Sequence, residues 1–389
     1  MRTLLLGASA AIVFTMPSVS AETFLGIEGL TTQSNLSAQT RIYYWNQAGA
    51  SDNGFQIVTP FTISTSISNE LILLELDARA AYIIAQTSRP GADGGVLSPS
   101  DTVVSATATF SHPELPVFPF VTASLNLPTG KETLRGIEKN AVVDSDLVEQ
   151  TRFGEGFNVN VGAGVTVPIT KNITATLGGS YNLRGDYVPD GDRGEVFDPG
   201  EQFVLYSEVQ YQDPGMLASL GFKFNYETES TLDDVPFFRP GDSFELYGQF
   251  GMSVTGEDIV NLSFSAARFT KNERFDPFTG TFRVEDERSA GDVYRVDASW
   301  RHRTSFGTVG VAGQYLRRER NDFDETSDLF LPARQRYLFG PTASVKVGDK
   351  TQLDFRAQYM RLVEDVFPVT GLQRTFNGFI VTGGLNIIL

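Results

Sequence analysis

Ile72-Leu73-Leu74-Glu75-Leu76-Asp77-Ala78-Arg79-Ala80 is the stretch whose reading decides the fold. Successive side chains of a strand point to opposite faces. In extended form, Ile72, Leu74, Leu76, Ala78 and Ala80 therefore share one face, and Glu75, Asp77 and Arg79 share the other. The same alternation recurs in about sixteen segments between Asn35 and Leu389, and no amphipathic helix is available to cover their apolar faces. Lipid on one face and a watery lumen on the other account for the pattern, provided the strands close and leave no unpaired edge. The expected fold is all-β, a transmembrane antiparallel β-barrel of about sixteen strands.

Strands are predicted near 35–45, 55–65, 70–84, 102–111, 117–127, 157–169, 172–184, 201–211, 217–227, 243–254, 259–269, 292–301, 307–317, 335–347, 351–361 and 376–389. The connections alternate in length. Thr170-Lys171-Asn172, Gln212-Asp213-Pro214-Gly215, Gly256-Glu257-Asp258 and Gly348-Asp349-Lys350 are short turn formers, expected in the periplasm. Longer polar connections, at 86–100, 131–155, 185–200, 228–241, 270–291, 318–333 and 362–375, are expected outside the cell.

The start of the chain indicates export. Arg2, an apolar run from Leu4 to Phe14, and Val19-Ser20-Ala21 read as a secretory signal peptide over 1–21, with the apolar run too short to span a bilayer. Residues 22–34 are expected as a periplasmic N-terminal segment and 35–389 as the barrel. The chain has no cysteine, so its stability must come from the closed backbone ladder. Its formal charge of −16, or −17 once Arg2 is removed, argues against a nucleic-acid partner.

The last strand carries Phe379, Val381, Gly383, Leu385, Ile387 and Leu389 on one face and ends the sequence. It resembles the C-terminal signal by which the barrel assembly machinery recognises its clients, with Leu389 standing where Phe is usual. Leu125-Asn126-Leu127-Pro128-Thr129-Gly130-Lys131, Val167-Pro168-Ile169-Thr170-Lys171-Asn172 and Tyr181-Asn182-Leu183-Arg184-Gly185 look like the meta-pathway phenol-degradation outer-membrane family. That resemblance covers residues 117–187 and implies passage of small organic molecules, aromatic ones among them.

Function is legible only in the lumen. The pore-lining candidates are Arg41, Glu75, Asp77, Arg79, Arg295, Asp297, Asp354 and Arg356, joined on inferred inward faces by Lys223, Glu245, Arg301 and Gln358. Arg outnumbers Lys 24 to 7, and a guanidinium keeps its charge while pairing with carboxylates. These residues either line an aqueous channel or neutralise one another across neighbouring strands. The 131–155 connection is the longest, and general porins, which the strand count resembles, fold the loop after their fifth strand inward. On that resemblance Asp144, Asp146 and Glu149 form a constriction and face wall arginines such as Arg41, Arg79 and Arg356; the alternative is an exterior flap.

Asp190-Gly191-Asp192-Arg193-Gly194-Glu195 has oxygen ligands at alternate positions but lacks the full calcium-loop pattern, and a solvated acidic loop is preferred. Neither His112 nor His302 has an evident catalytic setting, and no Gly-x-Ser-x-Gly elbow is present, so no enzyme, cofactor or metal is expected. The reading is a porin-like channel for passive diffusion of small solutes. Its alternatives are a selective transporter of hydrophobic or aromatic molecules, or a structural or adhesive barrel. Outer-membrane lipids are the expected surroundings, and Ala78, Ala80, Ala106 and Ala108 suggest a homo-oligomer contact.

Overall fold

The computed structural model describes residues 31–389 apart from Pro113, so the expectations for 1–21 and 22–30 lie outside the described residues. Sixteen antiparallel strands close into one barrel. They are β1 Thr31–Gln47, β2 Asn53–Ser68, β3 Ile72–Ser88, β4 in two pieces Gly94–Pro99 and Thr102–Phe110, β5 Phe118–Leu127, β6 Asn158–Pro168, β7 Ile173–Arg184 and β8 Gln202–Asp213. The other half is β9 Met216–Glu227, β10 Ser243–Ser253, β11 Asp258–Phe269, β12 Val293–Thr304, β13 Gly307–Arg318, β14 Arg334–Lys346, β15 Thr351–Glu364 and β16 Thr375–Ile388. Each strand pairs with its sequence neighbours, and β1 pairs with β16 from Asn35 opposite Ile388 to Gln47 opposite Phe376. Closure leaves the barrel ladder without an edge, which is what a strand-built wall needs in lipid.

The two faces of the wall differ as the alternation demands. Ile42 and Tyr44 of β1 are 40% and 45% exposed, whereas Tyr43 and Trp45 between them are 7% and 1% exposed. Phe61, Val121, Val161, Leu177, Leu220 and Phe355 continue the exposed apolar band around the outside. A wall one sheet thick can bury Trp45 and Met360 on its other face only if something fills the barrel there. On the outward face, Ala106 and Ala108 lie opposite Leu76 and Leu74, so bulky and small side chains alternate there.

Thirty-one to thirty-four, expected in the N-terminal segment, belong to β1. A second difference lies in the 86–100 connection, read as an exterior loop. Gly94–Pro99 instead pairs with the upper half of β3 and continues into Thr102–Phe110 after a one-residue bulge. Tyr82 lies opposite Pro99 and Arg79 opposite Val103, so Ser100 and Asp101 take the slack. Ser100 closes the gap by exchanging bonds with Ala81, its Oγ accepting from Ala81 N at 2.8 Å.

Above β7 to β12 the long connections build a separate five-stranded sheet from Phe197–Asp198, Ser230–Leu232, Val235–Arg239, Glu273–Asp276 and Thr281–Val284. Asp233 and Asp234, with φ of 51° and 63°, turn its tight hairpin between Leu232 and Val235. Among the described residues no helix is long and apolar enough to cross a membrane.

Candidate functional site

The 131–155 connection leaves the wall between β5 and β6 and reaches across to strands on the far side. It forms a 3-10 turn at Gly136–Ala141 and then runs against β1, β2, β13, β14 and β15. Val143, Leu147 and Val148 pack with Tyr43, Trp45, Leu338, Met360, Leu362, Phe376 and Ile380. A second cluster joins Leu134, Ala141 and Phe153 to Val58, Ile83, Ala85 and Val96. Full burial of each such aliphatic side chain stabilises by about 1.5–3 kcal/mol, so the loop is held inside by packing as well as by charge.

The loop carboxylates are each met by an arginine. Asp146 accepts from Arg318 Nε and Nη2 at 3.0 and 3.1 Å and pairs with Arg334 Nε at 3.2 Å. Arg336 Nη1 donates to the Asp146 carbonyl at 2.8 Å. Asp144 pairs with Arg334, and Glu149 pairs with Arg41 while accepting from Tyr43 Oη at 2.6 Å. Burial alone would raise the Asp146 carboxyl, but Arg318, Arg334 and Arg336 hold it below the ordinary carboxylate range. Of the three arginines first considered as partners, the structure brings only Arg41 to the loop. Arg318, Arg334 and Arg336 were not singled out, because they sit at strand ends beside charged connections and read there as solvated residues.

The base of the loop is clamped at the β4 bulge. Asp101 Oδ1 accepts from Gly130 N at 2.9 Å, and Oδ2 accepts from Glu155 N at 2.7 Å and Asn126 Nδ2 at 2.8 Å. One carboxylate thereby ties the residue just before the loop to the loop's last residue. Further out, Lys139 Nζ lies 3.0 Å from Asp190 Oδ1 and 2.7 Å from Asp192 Oδ2, so a lysine fills the place a cation would take in the acidic 190–195 segment. Its hydrogen bonds hold both carboxylates below their ordinary range.

All eight pore-lining candidates fall on the wall face that carries the loop. Arg41, Thr382, Arg356, Thr342, Gly310 and Arg301 lie opposite one another in turn across β1, β16, β15, β14, β13 and β12, forming one row. In β1 this row is one inward step below Tyr43 and meets the loop at Arg41, whereas Arg356 lies two inward steps below the loop-packed Met360. Arg41 has Glu149; Arg301 and Arg356 have no ion-pair partner among the described residues, nor do Arg79 and Arg295. Asp354 accepts from Gln352 and Asn386, and Asp297 from Gln314, which is also bonded to Arg336. Glu75 and Asp77 share the inward face of β3 with Arg79.

The opposite wall is aromatic, and the sequence reading did not find it. The rings of Phe120, Tyr206 and Tyr247 reach over Gly164, Gly178 and Gly221 of adjacent strands. A Cβ at those glycines would stand 2.3, 2.5 and 2.2 Å from the respective ring Cζ atoms. Removing the side chain beneath each ring lets it lie against the sheet rather than project across the lumen. Lys223, Glu208 and Glu245 are interleaved with these rings.

No protein-family model matches the chain, and no curated protein matches its sequence. Among solved structures, an outer membrane channel of Pseudomonas putida F1 matches at 12% identity and a TM-score of 0.44, over 65% of this chain and 93% of that one. OccK5 (OpdH) of Pseudomonas aeruginosa matches at 10% identity and a TM-score of 0.45, over 92% of this chain and 98% of that one. OpdK of Pseudomonas aeruginosa, solved with vanillate, matches at 10% identity and 0.45, over 92% and 99%. The barrel and its inward loop rest on this chain's own geometry.

Proposed function

We propose that this chain is a porin-like channel of the bacterial outer membrane, passing small solutes by passive diffusion and favouring anions at its narrowest level. One observation carries the reading: a row of three arginines, Arg41, Arg356 and Arg301, that starts at the inward loop and runs along the wall below it, with two of them lacking a carboxylate partner. The chain's net charge of −16 does not oppose this. Field lines in a narrow passage follow the nearest fixed charges, and the loop carboxylates are already neutralised by Arg41, Arg318 and Arg334. Pore-lining roles follow for Arg41, Arg356, Arg295 and Arg79, with Asp297, Asp354, Glu75 and Asp77 as their local counter-charges. Asp144, Asp146 and Glu149 serve as the fixed inner edge of the constriction.

Single-channel recording in a planar bilayer under a salt gradient is the test. Arg356→Glu with Arg301→Glu should move the reversal potential toward cations without loss of insertion. A well-inserted double variant with an unchanged reversal potential would remove these residues from the ion path.

The rings of Phe120, Tyr206 and Tyr247, packed over glycines, favour a narrower second reading, in which solutes with a planar apolar part slide along one wall. Tyr206→Ala with Tyr247→Ala should weaken current block by a planar solute while leaving small-ion conductance nearly unchanged. Equal block by wild type and variant would dismiss it.

A further inference from the structure

We infer that the outer face of β13 to β16 carries a binding site for the phosphorylated headgroup of a membrane lipid, centred on Arg361. The inference rests on the membrane-spanning reading above and goes beyond it, because the site lies outside the channel.

Along the outward face of β15 the side chains are ordered by polarity. Phe355 comes first, then Tyr359 at 44% exposure, then Arg361, which is exposed. From Phe355 to Arg361 is about 20 Å along the strand at a rise of about 3.4 Å per residue. The neighbours repeat the order: Phe339 precedes Tyr337 and Gln335 toward the same end of β14, and Phe379 precedes Asn377 toward the same end of β16. An amphiphile with acyl chains below and a charged head above matches this sequence of tiers.

The polar tier is built of donors. Arg361 lies opposite Tyr337 on one side and Asn377 on the other, and it has no ion pair among the described residues. Tyr359 Oη donates to Asn377 Oδ1 at 2.7 Å, and Tyr337 Oη donates to Gln335 Oε1 at 2.7 Å. Each tyrosine thus bonds its partner's carbonyl oxygen, and the amide N–H groups of Asn377 and Gln335 have no partner among the described residues. The Arg361 guanidinium and the Asn377 amide beside it, with the Gln335 amide one step further up β14, then offer N–H donors on one surface, the chemistry that recognises a phosphate. Arg317, one strand beyond, is by contrast held by both oxygens of Glu319, at 2.8 and 3.1 Å. Arg361 is therefore the uncompensated cation of this tier.

The test uses the purified full-length barrel in mild detergent and native mass spectrometry. The probe is a disaccharide lipid carrying two phosphates, compared with the same lipid after dephosphorylation. Wild type should retain the phosphorylated lipid in preference, Arg361→Gln should lower that retention about tenfold, and Arg361→Ala with Asn377→Ala should abolish the preference. Arg268→Ala, on the distant strand β11, should behave as wild type. Equal retention of both lipids by wild type, or undiminished retention by Arg361→Gln, would overturn the site. Bilayer conductance of the same preparation separates the two failures: a conducting channel without lipid discrimination removes only this site, whereas loss of conductance bears on the channel itself.

Discussion

Glu149 of the inward loop is paired with Arg41 of β1, 108 residues earlier in the chain, and the same carboxylate accepts from Tyr43 two residues further along that strand. Two successive inward positions of β1 therefore hold one loop carboxylate. Arg41 is kept from acting as a free cation in its row, and Gln39 Oε1 fixes its Nε at 2.7 Å.

Glu149→Gln should separate charge from packing. The glutamine can still accept from Tyr43 but leaves Arg41 unneutralised, so the reversal potential should move further toward anions. The ion-paired side chains are 32% and 43% exposed, and pairs in such surroundings contribute about 0–1 kcal/mol. Thermal stability should accordingly change little. An unchanged reversal potential in a correctly inserted variant would show that Arg41 does not face permeating ions.

Asp101 is the residue on which the loop's inward course depends. It bonds the backbone at both ends of the 131–155 connection, so Asp101→Ala removes three hydrogen bonds at once. Each buried donor left unsatisfied costs about 1–3 kcal/mol, concentrated at the loop base rather than spread through the barrel. The barrel should still form, with the loop open to protease cleavage within 136–150 and with larger fluctuations in current. Asn would keep part of the function, since its one carbonyl oxygen can accept from Gly130 N. Protection equal to wild type in Asp101→Ala would contradict the clamp.

The strand rhythm was legible because two solvents act on the wall. Wherever lipid and lumen impose opposite demands at successive residues, as at Ile72 to Ala80, the period of two is written into the chain and all sixteen strands could be placed. Where that contrast lapses, the reading failed. Gly94–Pro99 carries two glycines and a terminal proline and looks like a loop, although Val96 and Ser98 are buried against the inward loop's side of the wall. The exterior sheet is made of pieces two to five residues long, too short to display a period. An inward course for 131–155 followed only from the likeness of the strand count to general porins, with an exterior flap as the alternative, and Arg318, Arg334 and Arg336 could be matched to Asp144 and Asp146 only by the closing of the barrel. The tyrosine and glycine pairs were hidden for the same reason: Gly178 and Tyr206 are neighbours across a ladder, not along the chain.

Asp146 gives the sharpest expectation. It is 3% exposed and lies among three arginines, of which Arg336 is also buried. Because Arg318, Arg334 and Arg336 depress its folded-state pKa despite burial, its contribution is present at every pH above the unfolded value of about 3.9. That contribution is lost only as pH falls through the lowered folded value. The contact should therefore hold from pH 7 down to 5 with no change in conductance, and the loop should loosen only well below pH 4. Asp146→Asn removes the charge at neutral pH and leaves Arg318 without its carboxylate beside the buried Arg336, and breaking a buried pair in this way typically costs about 3–5 kcal/mol. At pH 7 the variant should show the raised, noisy conductance that wild type reaches only in acid, and further acidification should add little. Replacing 136–150 with a Gly-Ser linker should raise conductance at neutral pH by a different route, emptying the constriction without exposing a buried charge. If Asp146→Asn conducts and melts as wild type does, the arginine cluster does not hold the loop. If the linker variant also conducts as wild type, the loop does not narrow the pore.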